Sequence, residues 1–489
     1  MIEARCRLLP VKIDSVLYHI PTVLRYPSPM NFSFDRLQLD EDLLNNLQTL
    51  GYQSMTPIQK SSLPPVLKGA DVIAQAKTGS GKTAAFGLGL LQKLEVKRYR
   101  VQSLVLCPTR ELADQVAREL RRLARARHNV KILTLCGGMP FGPQVGSLEH
   151  GAHIVAGTPG RIEEHLRKRT LKTGEINTLV LDEADRMLDM GFQDSLDAIV
   201  SCLPRERQTL LFSATYPEQI QALAKRVTIN PVMVKVESTH DAKSIRQHFY
   251  NFGQSKHRMT ALRLLLLKLR PTSALVFCNT KRESDEVADE LRSHGLEALA
   301  LHGDLEQRER DQVLVRFANR SVSVLVATDV AARGLDIESL DAVINYHMAR
   351  DPEVHVHRIG RTGRAGSKGL ACTLFSEKEH YKVERLENYL DQSIEPEKLP
   401  PFSLLEKPAY KPPMATLQID GGRKQKVRPG DLLGALTGEN GIAGKQVGKI
   451  NVFDQCAYVA VSRDAARHAL RKLRDGKIKG RSFRARRIS

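Results

Sequence analysis

Short apolar runs, each closing on a turn or a polar residue, recur along this chain and constrain its fold more than any other feature. In the first half they read DVIAQA, SLVLC, ILTLCGG, HIVAGT, TLVLDEAD and TLLFSAT. Stretches of helical periodicity, such as 111–124, separate them. Near-continuous apolar strands alternating with helices build a parallel sheet covered on both faces. The pattern pauses near 238–244 and resumes with ALVFCNT, EALALHGD, SVLVATD, AVINYH and LACTLFS. The expected fold class is α/β, with two tandem parallel-sheet domains over 30–237 and 244–395. A chain of 489 residues exceeds what a single core organises, which fits this division.

Six prolines fall within 396–413, a composition expected of a stiff linker. Residues 414–489 hold 17 Lys and Arg against 6 Asp and Glu, so they carry +11 of the chain's +19. This charge calls for a polyanionic partner, either nucleic acid or an anionic membrane surface. TLQID, GKINVFD, AYVAV and RSFRARR read as strands, and 429–436 and 463–473 as helices. The order β-α-β-β-α-β is that of an RNA recognition motif, a small α+β domain. Its third strand keeps only Tyr458 among the aromatics such a sheet uses for stacking, so Arg423, Lys424, Lys426 and Arg428 are the expected RNA contacts. Phe483 and Ala485 are expected to pin the last strand to the core.

The seven cysteines are scattered and never spaced as C-x-x-C, which excludes a disulfide framework or zinc site and fits a reducing, cytoplasmic setting. No stretch approaches a membrane span, so no membrane partner is expected. Residues 1–29 are read as a disordered extension, or as preceding a natural start at Met30.

AKTGSGKT, residues 76–83, follows an apolar strand and opens a helix. Glycine at 79 and 81 lets backbone N–H groups approach phosphate, Lys82 can reach the β- and γ-phosphates, and the Thr83 hydroxyl can meet Mg²⁺. Ala76 replaces the first glycine of the phosphate-loop pattern. Gly79 to Ala84 also fits the dinucleotide pattern G-x-G-x-x-A. TLVLDEAD favours a nucleoside triphosphate. Asp182, at a strand's carboxyl end, is placed to hold Mg²⁺ largely through water, and Glu183 to orient or deprotonate an attacking water.

These residues belong to an ordered series. It runs through Phe34, GYQSMTPIQ ending at Gln59, AKTGSGKT, PTRELA (108–113), Gly137-Gly138, TPGR (158–161), DEAD (182–185) and SAT (213–215). It continues with LVFCNT (275–280), LHGD with Gln307 and Arg310, TDVAARGLDI (328–337) and HRIGRTGR (357–364). The series resembles the DEAD-box RNA helicases. The resemblance implies two RecA-like domains and an RNA-dependent ATPase that separates short duplexes without travelling along them, with ATP and Mg²⁺ as cofactors. It also implies that Gln59 reads the adenine edge and that Phe34 or Tyr52 stacks on the base. Ala76, Lys77, Thr78, Gly79, Ser80, Gly81, Lys82 and Thr83 would cradle the phosphates. Gly334 and Asp336 would meet the nucleotide from the second domain, which would also supply Arg361 and Arg364 as arginine fingers. Arg110, Gly138, Thr158, Arg161 and Thr328 would hold the RNA backbone, and Ser213, Thr215 and His357 would couple hydrolysis to RNA.

GGRKQKVRPGDLLGALTGENGIAGKQVGKI resembles the C-terminal domain of the bacterial DbpA group. That resemblance implies a hairpin of 23S ribosomal RNA in large-subunit precursors as partner; the chain is expected to be a monomer in the cytoplasm. Two other readings are a different nucleotide-driven motor, such as a DNA translocase, and a passive ribosomal RNA-binding protein with a vestigial ATP site. The full motif series stands against the first, and the presence of each chemical residue against the second.

Overall fold

The computed structural model describes residues 33–76, 79–236, 245–253, 257–332, 340–363 and 369–488. Positions 1–29, Lys77, Thr78, Gly334, Asp336 and Arg364 lie outside them. The chain divides into two compact units, 1–238 and 239–489.

The first unit is organised by seven parallel strands: β1 (Val72–Gln75), β2 (Ser103–Leu106), β3 (Ile132–Leu135), β4 (Ile154–Gly157), β5 (Thr178–Leu181), β6 (Gln208–Ser213) and β7 (Val232–Lys235). Their order is β3-β4-β2-β5-β6-β1-β7. Every residue of β2, β4, β5 and β6 is buried, as two-sided helical cover requires. One apolar cluster, with Phe86 and Phe212, fills one face, and another, with Met187 and Ile220, fills the other. The helix Arg110–Leu123 shows how the sequence dictates this. Its Leu112, Val116, Leu120 and Leu123 fall on one stripe and are buried, and Thr109 caps its start by accepting from the N–H of Leu112.

In the second unit, β8 (Ile245–Asn251), β9 (Ala274–Cys278), β10 (Ala298–Leu301), β11 (Val324–Thr328), β12 (Ala342–Asn345), β13 (Gly369–Phe375) and β14 (Pro396–Glu397) form a parallel sheet. Its order is β10-β11-β9-β12-β13-β8-β14. The sequence pattern missed β7, β8 and β14. β8 reads IRQHFYN, and its polar residues hide a strand whose seven residues all pair with β13.

A third, antiparallel sheet comprises β15 (Met414–Ile419), β16 (Val447–Val452), β17 (Ala457–Ser462) and β18 (Ala485–Ile488), in the order β16-β17-β15-β18. Helices Pro429–Thr437 and Ala466–Asp475 cover one face, where Leu417, Ile419, Val459 and Val461 meet Leu432, Leu436 and Leu473. Ala485 and Phe483 join that core, so the end of the chain is folded.

The other face of this sheet is also closed. Thr416 and Gln418 point away from the helices, yet are 0% and 1% exposed, and Tyr458 is 3% exposed. The Thr416 hydroxyl meets Asn319 Nδ2 at 3.2 Å and Ser321 Oγ at 2.7 Å, and Arg463 pairs with Glu297 at 3.7 Å. The sheet face is therefore seated on the α/β part of the same unit. The Pro-rich stretch departs from a free spacer in the same way. Pro396–Glu397 extends the second sheet, and Tyr410 is buried in that sheet's core. Apolar residues between the prolines give it a surface to lie on.

Candidate active site and RNA-facing loops

β1 ends where the phosphate loop begins. Gly81 caps the helix Lys82–Gln92 with φ at +91°, a left-handed conformation that favours glycine. The Lys82 ammonium is 6% exposed and donates to the Ala76 carbonyl at 2.9 Å, folded back into the loop. Thr83 follows on the first turn, half-buried. Gln59 caps the helix Pro57–Leu67. Its side-chain oxygen accepts from the Thr56 N–H at 2.9 Å, and its amide nitrogen donates to the Gly81 carbonyl at 3.1 Å. Both ends of the Gln59 amide are thus engaged, one on the phosphate loop, and each end keeps one further position, a lone pair and an N–H, for an adenine edge. Phe34, expected as a stacking ring, is 3% exposed and packs edge-on to Tyr52, with ring centres 6.0 Å apart. It anchors the segment before the first helix to the core. Tyr52 donates to Glu119 at 2.6 Å and lies under Arg122.

β5 delivers Asp182, Glu183 and Asp185 at the carboxyl edge of the same sheet. Asp182 is 3% exposed and its Oδ1 is buried with no hydrogen-bond partner. Burial pushes its pKa up to about 6, against the opposing pull of the Lys82 charge. An orphaned carboxylate oxygen near a lysine and a phosphate loop suits a hydrated divalent cation. Among the described residues no group of three or more His, Cys, Asp or Glu is placed to hold a metal. Such a cation would therefore lean on phosphate oxygens and water.

Glu183 adopts φ +52° and ψ +51°, the left-handed region a non-glycine residue rarely enters. This turns its carboxylate onto Arg186, at 2.9 Å, with both side chains buried. Asp185 reaches the SAT segment. Its Oδ2 accepts from the N–H of Ala214 at 3.1 Å, from the N–H of Thr215 at 3.0 Å and from the Thr215 hydroxyl at 3.2 Å. Ser213 Oγ is buried without a partner. DEAD and SAT are thus one hydrogen-bonded body, a link the sequence assigned only to Ser213 and Thr215.

The loops at the carboxyl ends of β2, β3 and β4 present the predicted RNA contacts. Arg110 opens the helix after β2, Gly138 follows β3 with φ +72°, and Thr158 caps the helix after β4. Arg161 donates to the Met139 carbonyl at 2.9 Å and pairs with Glu164 at 3.0 Å, so two of these loops are joined. Phe141 stacks on the buried His165, with ring centres 4.3 Å apart, beneath the Arg161 guanidinium.

In the second unit, Thr328 ends β11 and its hydroxyl accepts from the Ala331 N–H at 3.4 Å. His357 is on the helix Pro352–Ile359, and Arg361, 5% exposed, lies just beyond it. Between them is a residue the sequence reading passed over. Arg358, 2% exposed, grips both oxygens of Asp329 at 2.6 and 2.7 Å, donates to the His347 carbonyl at 2.6 Å and lies over Phe277. Asp329 is the neighbour of Thr328, so the turn carrying Thr328 and the helix leading to Arg361 are tied by a two-point ion pair. Only the presence of Arg358 within HRIGR and of Asp329 within TDVAARG hinted at this. In the third domain, Arg423, Lys424, Lys426 and Arg428 are all exposed around the turn that precedes the helix Pro429–Thr437.

A phosphate loop facing Asp182 and Glu183 on one parallel sheet, followed by a second sheet of the same kind, defines a tandem RecA-like ATPase. Comparison with known proteins refines this. Residues 56–223 match the DEAD/DEAH box helicase family, 257–366 the helicase conserved C-terminal domain and 416–487 the DbpA RNA binding domain. The chain is 54% identical over 443 residues to the ATP-dependent RNA helicase DbpA of Escherichia coli K12, covering 91% of this chain and 96% of that one. It is 43% identical over 367 residues to the ATP-dependent RNA helicase CshA of Listeria monocytogenes, covering 75% of this chain and 70% of the relative. Among solved structures, Mss116p bound to single-stranded RNA and AMP-PNP aligns with a TM-score of 0.70 at 27% identity, covering 80% of this chain and 83% of that one. Dbp5 of S. cerevisiae bound to RNA and ADP BeF3 aligns with a TM-score of 0.69 at 30% identity, covering 75% and 95%. The chain belongs to the DEAD-box ATP-dependent RNA helicases, in the DbpA group. It is an RNA-dependent ATPase and helicase.

Proposed function

We propose that this helicase works on precursors of the large ribosomal subunit in the cytoplasm, as a monomer, directed there by a 23S ribosomal RNA hairpin that its third domain selects. The observation that carries this reading is the character of that domain. It matches the DbpA RNA binding domain and concentrates the chain's positive charge, while its sheet face is occupied by the domain before it. RNA then meets the helical and loop side, where Arg423, Lys424, Lys426 and Arg428 are exposed.

ATP is held in the phosphate loop by Lys82 and the N–H groups around Gly79 and Gly81, with Gln59 beside the loop. Thr83, and Asp182 through water, would hold Mg²⁺, which would supply neutralisation of phosphate charge. Glu183, oriented by Arg186, takes the proton of the attacking water. Arg361, positioned by Arg358, and Arg364 keep the role on the γ-phosphate that the family resemblance gives them. Arg110, Gly138, Thr158, Arg161 and Thr328 hold the RNA backbone without reading bases. Asp185, bonded to Thr215, carries the state of one site to the other.

The test is ATPase stimulation by 23S fragments and by poly(A). Wild type is expected to respond at far lower concentration to a fragment containing its hairpin. A double charge reversal, Arg423→Glu with Lys424→Glu, is expected to remove that preference while leaving the poly(A) response in place. Equal responses of wild type to both RNAs would end the targeting reading.

A further inference from the structure

β3 is one of the two outer strands of the first sheet, and a wide-open cavity of about 560 Å³ lies along its first half. It lies at the end of β3 away from the loops assigned above. Ile132 begins β3, whereas Gly137 and Gly138 follow its other end, roughly 13 Å along a strand of this length. Arg121, Lys131 and His150 stand around the cavity, Val130, Leu133 and Pro143 line it with apolar surface, and no carboxylate lines it. Lys131 is held in place: its ammonium donates to the His150 carbonyl at 3.1 Å and lies 5.0 Å from the centre of the Tyr99 ring. An ammonium has three donors, so this bond leaves Lys131 able to receive an anion.

We propose that this cavity is an accessory site for one unpaired RNA nucleotide, with phosphate at Lys131 and the base against Val130, Leu133 and Pro143. Its size is that of a small-ligand site, which runs from about 300 to 1,000 Å³. A peptide adding as a strand is the less suitable occupant. Such a strand would need the Ile132 carbonyl, and the Arg121 guanidinium already donates to it at 2.8 Å. A nucleotide needs no such group, and it brings both the anion and the flat apolar body that the cavity complements. The contact is independent of sequence, since it addresses phosphate and a base face. It would hold a strand flanking the one gripped by the loops at the other end of β3. The inference rests on the chain's action on RNA and not on which RNA the third domain selects.

The experiment uses the full-length protein and thiouridine-substituted oligouridylates, one short and one long, with crosslinked peptides identified by mass spectrometry. The long oligomer is expected to label peptides within 130–151, and the short one only the loops at the carboxyl ends of the strands. Lys131→Glu is expected to weaken binding of the long oligomer by about tenfold and to lower its salt dependence by about one phosphate contact. Lys131→Gln should show a smaller loss with an unchanged melting temperature, which separates the effect from misfolding. ATP turnover without RNA should stay the same. The proposal fails if the long oligomer labels nothing in 130–151, or if Lys131→Glu binds it as wild type does. It also fails if free AMP abolishes labelling that does not depend on oligomer length, which would make this a mononucleotide site. Polyglutamate binding without RNA labelling would assign the cavity to an acidic protein and overturn it as well.

Discussion

Replacing Asp185 by Asn should separate ATP binding from strand separation. The Asp185 Oδ2 atom accepts three hydrogen bonds from Ala214 and Thr215, and its Oδ1 accepts the Arg186 N–H at 3.0 Å. A hydrogen bond to a charged group contributes about 1.5–3 kcal/mol, against about 1 kcal/mol between neutral groups. An asparagine oxygen facing Ala214 and Thr215 keeps the geometry but loses the charge, and it turns an N–H₂ toward the Arg186 N–H. Three weakened bonds, and a donor facing a donor in a buried place, cost about 2–4 kcal/mol. That lowers the population in which DEAD and SAT are joined by about 30-fold or more. The assay is the number of short duplexes separated per ATP hydrolysed, alongside fluorescent-nucleotide binding and thermal unfolding. Asp185→Asn should retain nucleotide affinity, melt roughly 5–10 °C lower and separate far fewer duplexes per ATP. A folded variant with wild-type duplexes per ATP would refute the coupling argument.

Three further perturbations follow from the geometry. Gly81→Ala places a methyl group 2.5 Å from the Gln59 amide nitrogen at φ +91°, so nucleotide affinity should fall by about tenfold or more in a titration. Thr416→Val leaves Asn319 and Ser321 facing a methyl group in a buried interface. This should cost about 1–3 kcal/mol and appear as faster hydrogen exchange at 319–321, with RNA affinity retained. His165 is buried and desolvation lowers its pKa to about 4, so the unfolded chain takes up that proton first. Its contribution to stability is present above pH 6.5 and is lost as the pH falls toward 4. Pulse proteolysis or thermal unfolding should show about 2 kcal/mol lost by pH 5, with a flatter profile for His165→Gln.

Much of this could be read from the sequence because the signals were local. Each of β1 to β6 is an apolar run with a turn after it, and the phosphate loop and DEAD are contiguous. What escaped depends on partners distant in the chain. β8 looks polar because its pairing with β13 is a tertiary fact. The sequence offers Phe34 or Tyr52 as the stacking ring, and only packing shows that Phe34 is buried. Arg358 and Asp329 are 29 positions apart, and neither announces the other. The β-α-β-β-α-β order of 414–489 gave a sheet with one face on its helices. That order could not show that the small and polar face, Thr416, Gln418 and Ala460, is covered by the preceding domain.

The central claim is that Asp182 and Glu183 form the hydrolytic centre of an RNA-switched ATPase. Glu183→Gln, assayed for ATP turnover at saturating RNA, tests it most directly. The replacement keeps the shape and a hydrogen-bond acceptor for Arg186 but removes the base. Turnover should fall by about 10²-fold or more, the usual share of a positioned general base, while ATP and RNA still bind. Undiminished RNA-stimulated turnover in this variant would contradict the account.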